Sequence, residues 1–294
     1  MSSASYHMTP TECLTPAFWE HAWHELQRDS ILKTTQQIHP GRWRQFYDEV
    51  AGSWDQITGH GPEAAKAAVK ALDAQHQLGP QTTSLDIGCG TGNLSIAMAA
   101  RGVKVTAMDD SAGMASVLRR RMHEQKIKNI EIVEAKWEDL QRAASYDLVM
   151  AAFFPQVMTP KGIQRMEASA RQTCSLVVGA GQETFPFRRE IWQKVMHDPL
   201  PKTNFNLTCA LAYLLTSGRN PNLKHLTWQA GVHLPAEDVT RYFQAYFAIF
   251  GKQGPEVREA IDQVIASYCN GGMVDIEREA SAALIHWHPH RAIP

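Results

Sequence analysis

Three glycines, Gly88, Gly90 and Gly92, stand two residues apart in the stretch Ser84-Leu-Asp-Ile-Gly-Cys-Gly-Thr-Gly-Asn93, with Asp86 before them and Cys89 between them. A short apolar run precedes the turn and a helix-forming run follows it. Such a turn lets main chain approach a ligand with no side chain in the way. The helix start behind it offers unpaired N–H groups. Dinucleotide enzymes use a related turn with the pattern G-x-G-x-x-G. Its third glycine would fall at position 93, where this chain has Asn93, so the pyrophosphate-binding version does not fit.

Three further stretches carry groups of chemical interest. Residues 103–114 read Val-Lys-Val-Thr-Ala-Met-Asp-Asp-Ser-Ala-Gly-Met. Asp109 ends the apolar part, and its carboxylate can accept hydrogen bonds from both hydroxyls of a ribose. Asp110 or Ser111 suits the cap of the next helix better than Asp109 does. Nicotinamide enzymes place an acid similarly, so Asp109 alone does not choose between cofactors. Residues 134–140 hold Lys136 and Trp137, an indole able to pack on a flat ring. Residues 147–156 read Asp-Leu-Val-Met-Ala-Ala-Phe-Phe-Pro-Gln, with Ala151 closing an apolar run and Phe153 and Phe154 just beyond it.

Together these stretches resemble class I, Rossmann-like S-adenosylmethionine-dependent methyltransferases of the small-molecule type. Their first motif reads much like D-x-G-x-G-x-G, here Asp86, Gly88, Gly90 and Gly92. The resemblance implies S-adenosylmethionine as cofactor, held by Asp86, Gly88, Cys89, Gly90, Gly92, Asp109, Asp110, Met114, Lys136, Trp137 and Ala151. The chain departs from the family at Lys136, which stands where an adenine-binding acid is common and cannot accept that bond. Ala152-Phe-Phe-Pro155 replaces the amide-gripping turn of amino-group methylases, and no Pro-Cys pair marks a cytosine C5 methylase. Residues 46–55 resemble the segment that closes over the cofactor in many small-molecule members, with Tyr47 and Trp54 as lid contacts. Phe153, Phe154 and Tyr213 are then expected to wall an apolar acceptor pocket. The resemblance covers positions 43–180.

These residues require elements to position them. Apolar runs over 83–87, 103–108, 130–134, 146–151 and 175–179 alternate with helix-forming runs over 93–100 and 112–125. That rhythm predicts a mainly parallel sheet with helices on both faces. Strong helix formers fill 63–77 between Gly61-Pro62 and Gly79-Pro80. Aromatic and charged residues over 16–48 predict two or three helices ahead of the core. Beyond 180, helices are expected over 187–217, 237–250 and 256–269, with strands over 224–234 and 282–287. The expected architecture is a doubly wound, mainly parallel seven-stranded α/β sheet with an antiparallel last strand. Its parts are an N-terminal helical cover (1–60), a Rossmann-like cofactor core (61–182), a helical cap (183–222) and the completion of the sheet with inserted helices (223–294).

Composition narrows the partners. The formal net charge is −1, with 29 Lys and Arg against 30 Asp and Glu, so no basic excess draws the chain to nucleic acid. Five widely spaced cysteines, Cys13, Cys89, Cys174, Cys209 and Cys269, form neither a disulfide framework nor a zinc motif. With no apolar run of membrane length and no signal-peptide pattern at the start, a cytoplasmic protein is expected. His286, His288 and His290 share one strand face, and His197, His225 and His233 are candidate bases by residue type alone. None has a motif, and no metal is expected. The function read here is methyl transfer to a small molecule through an N, O or C nucleophile. The alternatives are a non-catalytic protein that binds S-adenosylmethionine or S-adenosylhomocysteine, and a nicotinamide-dependent dehydrogenase, which Asn93 disfavours.

Overall fold

The computed structural model describes residues 11–76, 78–140, 146–180 and 184–289. Within them the mainly parallel sheet forms as the alternation predicts. Strands β1 (Thr83–Ile87), β2 (Lys104–Asp109), β3 (Ile130–Glu134), β4 (Tyr146–Ala152) and β5 (Ala170–Gly179) pair in parallel. Strand β8 (Met273–Trp287) lies antiparallel between β5 and β6 (Asn222–Pro235), giving the order β3-β2-β1-β4-β5-β8-β6. A two-residue strand, β7 (Cys269–Asn270), pairs with β8 and makes the sheet eight-stranded rather than seven.

Side chains alternate between the two faces of this sheet. Leu85, Ile87, Val149, Ala151, Cys174, Leu176, Ile285 and Trp287 enter one buried cluster. Val105, Ala107, Leu148, Met150, Val177, Ala282 and Leu284 enter the other. Strands covered on both faces read as continuous apolar runs, which is why β1 was bounded from sequence. The edge strand β6 instead alternates, burying Leu226, Trp228, Ala230 and Val232 while their neighbours face outward.

Helices α1 (Pro16–Arg28), α2 (Ile31–Ile38), α3 (Pro40–Val50) and α4 (Trp54–Thr58) precede the core, and α5 (Pro62–His76) leads into it. The first two reach the loop after β4, where Gln27 Nε2 donates to the carbonyl of Met158 and Lys33 Nζ to that of Pro155. Burial pulls the Lys33 ammonium down to about 8. Helices α6 (Asn93–Ala99) and α7 (Ala112–Glu124) follow β1 and β2. Ser111 caps α7, accepting a bond from the Met114 N–H at 3.1 Å.

The pattern reading leaves out α8 (Pro160–Ser169), which Thr159 caps and Pro160 opens. It also starts β5 five residues late and finds only the end of β8. Glu277, Arg278 and Glu279 lie mid-strand with open solvent around them, because that part of β8 pairs with β6 beyond the body of the sheet.

Helices α9 (Pro186–Met196), α10 (Phe205–Thr216), α11 (Ala236–Ala248) and α12 (Pro255–Ile265) complete the chain. The segment expected as one cap is divided between the faces. Phe187, Ile191 and Trp192 of α9 join the cluster of α11 and α12, whereas Cys209, Ala210, Tyr213 and Leu214 of α10 join the opposite cluster with Trp23. Trp23 Nε1 donates to Asn206 Oδ1 at 2.9 Å, fastening α1 to α10. Residues 181–183 and His290 lie outside the described residues. No described helix is long and apolar enough to cross a membrane.

Candidate active site

Strand order reverses at β1, which has β2 on one side and β4 on the other. Connections leaving β1 and β4 therefore part to opposite faces, and a crevice opens at the carboxyl ends of the strands. A cavity lies there. The residues that wall it include Tyr47, Trp54, His60, Asp86, Gly88, Cys89, Gly90, Asp109, Asp110, Met114, Phe153 and Phe154.

One wall is main chain. Gly88, Gly90 and Gly92 have φ of 65°, 54° and 85°, the left-handed region that side chains rarely adopt. The turn closes with Gly92 N donating to Cys89 O at 2.9 Å. Beside it, Asp109 Oδ2 accepts from Gly90 N at 2.8 Å and Oδ1 from Ser111 N at 2.9 Å. Each carboxylate oxygen keeps a second lone pair for a ligand. Burial pushes the Asp109 carboxyl up to about 6, against those two N–H bonds. Asp86 is deeper, accepts from Ser95 Oγ at 2.6 Å, and is pushed up to about 7 by burial. Burial likewise raises the Cys89 thiol.

Opposite stands an aromatic wall. Phe153, immediately past β4, has φ 52°, a conformation that strains a bulky side chain. Its ring stacks on that of His60 with centroids 3.6 Å apart and an interplanar angle of 3°. Phe154 packs onto Gly88 so closely that a Cβ there would lie 2.2 Å from its ring. Tyr47 and Trp54 meet edge to face at 5.4 Å. Tyr242 of α11 contacts both Phe46 and Trp54, and Tyr246 contacts Phe46 and Trp43. Burial raises the Tyr47 phenol, and Asp109 adds to the effect.

The N-terminal helices are tied to the glycine-turn wall. Asp48 of α3 accepts from Ser111 Oγ at 2.7 Å and from Gly113 N at 2.9 Å. Asp55 of α4 accepts from Thr91 Oγ1 and Arg121 Nη2, both at 2.6 Å. Arg121 Nη1 bonds the Thr91 carbonyl and Asn93 Oδ1 at 3.1 Å. Asp55→Ala strips two partners from a mostly buried pair, with side chains 12% and 25% exposed. It should destabilise the fold by about 1.5–3 kcal/mol, below the range for fully buried pairs because Arg121 still meets solvent. Urea unfolding checks this, and an unchanged midpoint would remove Asp55 as a clamp.

Of the residues expected at the site, Gly88, Gly90, Asp86, Cys89, Asp109, Asp110, Met114, Tyr47, Trp54, Phe153 and Phe154 come together around this cavity. Gly92 lies behind the wall, where it faces Leu118 of α7. Ala151 lies under it, buried on the opposite sheet face, and Ala152 lines the cavity in its place. Lys136 is exposed beyond β3. Trp137 is buried in the second cluster with the Arg165 guanidinium 5.0 Å from its ring centroid. Tyr213 accepts from Gln164 Nε2 at 2.8 Å on α10, outside the cavity wall. His197 ends α9 with φ 60°, His225 is an exposed strand residue, and His233 pairs with Asp275 in solvent. Among the described residues no group of three or more His, Cys, Asp or Glu side chains is placed to hold a metal. Sequence reasoning missed His60, Tyr242 and Tyr246. His60 stands between α4 and Gly61-Pro62, and no motif marks it.

Residues 85–175 match a family model described as a methyltransferase domain. A protein named as a methyltransferase from Geobacillus sp. (strain WCH70) is 28% identical over 104 residues, 35% of this chain and 42% of that protein. The cypemycin N-terminal methyltransferase of Streptomyces sp. is 32% identical over 83 residues, 28% of this chain and 33% of its own length. The chain thus covers less than half the length of these curated relatives. Among solved structures, the YcgJ protein from Bacillus subtilis is similar at TM-score 0.49 and 15% identity, covering 76% of this chain and 99% of that one. The matched span holds the glycine turn, Asp109 and the end of β4, so the part of this chain that is similar to methyltransferase domains is the part that builds this cavity wall.

Proposed function

We propose that this protein transfers a methyl group from S-adenosylmethionine to a small, partly apolar acceptor that is neutral or basic. The observation that carries this reading is the pairing of two walls: a glycine turn with Asp109 on one side, and Phe153, Phe154, Tyr47 and Trp54 on the other. The residues present fit the cofactor. Gly90 leaves open space on the cavity wall that a Cβ would fill, and Asp109 keeps lone pairs for two hydroxyls.

S-adenosylmethionine supplies an already activated methyl group on a sulfonium. The chain therefore has to align the acceptor and exclude water more than to activate it. Asp109 accepts the ribose hydroxyls while its own oxygens are held by Gly90 and Ser111. Asp48 and Asp55 keep Tyr47 and Trp54 over the crevice. Phe153 and Phe154 form the dry floor on which an apolar acceptor would rest. The charged side chains on the cavity wall, Asp86, Asp109 and Asp110, are all acidic, which disfavours phosphate- or carboxylate-bearing acceptors, nucleic acid included.

Calorimetry with S-adenosylmethionine, S-adenosylhomocysteine and NAD tests the donor half: micromolar binding of the first two and none of NAD is expected. A screen of small phenols and amines then tests transfer. Phe154→Ala should raise KM or lower kcat with little change in cofactor affinity, and Tyr213→Ala, outside the wall, should lower stability while leaving the kinetics of the folded protein unchanged. Efficient methylation of bulk tRNA or of protein would overturn the small-acceptor reading. The seating of Phe154 on Gly88 favours one second reading, a protein that binds the cofactor without turnover. Single-turnover transfer to any acceptor would dismiss it.

A further inference from the structure

Resting on the small-acceptor reading, we infer that His60 is the acceptor-positioning residue, its imidazole taking a hydrogen bond from the N–H or O–H of the group to be methylated. His60 lies on the cavity wall beside Ala152, Phe153 and Phe154. Its Nδ1 is buried with no hydrogen-bond partner in the structure. Buried side-chain nitrogens ordinarily have partners, and an orphan costs about 1–3 kcal/mol. At a ligand cavity, the ligand can recover that energy.

The ring is also held in place. It stacks flat on Phe153 at 3.6 Å. The main chain on either side is tied down: His60 O accepts from Asn93 Nδ2 at 3.3 Å, His60 N donates to Thr58 Oγ1 at 3.3 Å, and Gly59 O accepts from Trp228 Nε1 at 2.8 Å. Burial, with the Arg188 guanidinium adding to it, lowers the imidazole to about 3. The ring is therefore neutral, with one N–H and one lone pair.

That charge state selects a ligand chemistry. An acceptor that donates its N–H or O–H to the imidazole lone pair keeps its own lone pair free for the incoming methyl. A lysine or amide N–H in the same place would occupy that lone pair. The aromatic surroundings suit a flat apolar body next to the donating group. The three carboxylates on the wall offer nothing to an anionic one.

The test uses the full chain saturated with S-adenosylhomocysteine and three probes sharing one ring: phenol, benzylamine and benzoate. Histidine ring nitrogens are followed by 15N NMR and binding by calorimetry. Phenol or benzylamine should bind the parent, shift the His60 ring nitrogens, and bind more tightly than benzoate. His60→Phe keeps a ring on Phe153 and removes both nitrogens. It should leave S-adenosylhomocysteine affinity unchanged and weaken the probe about tenfold, with His60→Gln recovering part of the loss. Equal probe binding by His60→Phe and parent, no saturable binding of phenol or benzylamine, or preference for benzoate overturns the inference while the donor reading stands. Failure of the parent to bind S-adenosylhomocysteine overturns both.

Discussion

Asp109→Ala is expected to weaken S-adenosylmethionine and S-adenosylhomocysteine binding by about 1.5–3 kcal/mol, the scale for hydrogen bonds to a charged group. The carboxylate stands at the end of β2 with each oxygen already taking one N–H, from Gly90 and from Ser111. Those bonds aim its remaining lone pairs at the cavity. Asp109→Asn should be nearly as damaging, because whichever way the amide turns, its NH2 faces one of the two N–H groups. The same geometry gives a pH dependence. Burial pushes the carboxyl up to about 6, and two hydroxyl donors need the ionised form. Affinity should therefore hold above that value and fall about tenfold per pH unit below it. Calorimetry across this range is the check. A pH-independent Kd, or a folded Asp109→Ala protein with parental affinity, would take Asp109 out of the site.

Gly88→Ala should lower cofactor affinity about 100-fold or more, roughly 2.7 kcal/mol, and separate cleanly from its neighbours. At φ 65° an added Cβ carries a backbone penalty of about 1–2 kcal/mol. It would also stand 2.2 Å from the Phe154 ring, in the space between the glycine turn and the aromatic wall. Gly90 has open space around the same added atom on the cavity wall, so Gly90→Ala should show the backbone penalty together with a Cβ set in the cofactor's space. At Gly92 the Cβ would meet Leu118 at 2.2 Å, and Leu118 is fully buried on α7. Gly92→Ala should therefore lose stability by about 2–4 kcal/mol. Unfolding curves and calorimetry on the three variants give three different patterns. Parental cofactor binding by Gly88→Ala would refute the account of this wall.

The donor wall was legible because its residues lie within about thirty positions of one another in a pattern set by local rules. A glycine turn, an acid at a strand end and a Ser111 cap each follow from their neighbours in sequence. The parallel core was legible for a related reason, since strands buried on both faces are short apolar runs between turn residues. The aromatic wall was less so. Phe153 and Phe154 were found from their place after β4. His60 was not, because nothing local distinguishes a histidine that will stack on a phenylalanine 93 positions later. Tyr242 and Tyr246 looked like the apolar face of an ordinary amphipathic helix, and only the path of α11 brings them behind Phe46 and Trp54. The helical cap expected over 183–222 was legible as helices, but a helical pattern does not say which sheet face a helix takes, and α9 and α10 take opposite ones.

The Trp228 indole bond to the Gly59 carbonyl joins positions 169 apart in the chain. Contacts of such separation form late, since the entropy of closing the intervening loop must be met before they contribute. A nascent chain exposes Gly59 and His60 long before Trp228 leaves the ribosome, while β1, α6 and β2 can already pair among themselves. The strands around the glycine turn can thus pair first, with the Gly59–Trp228 clasp completed only when nearly the whole polypeptide is present. Substitutions at Trp228 therefore act on a late contact, at little risk to the pairing of β1 with β2.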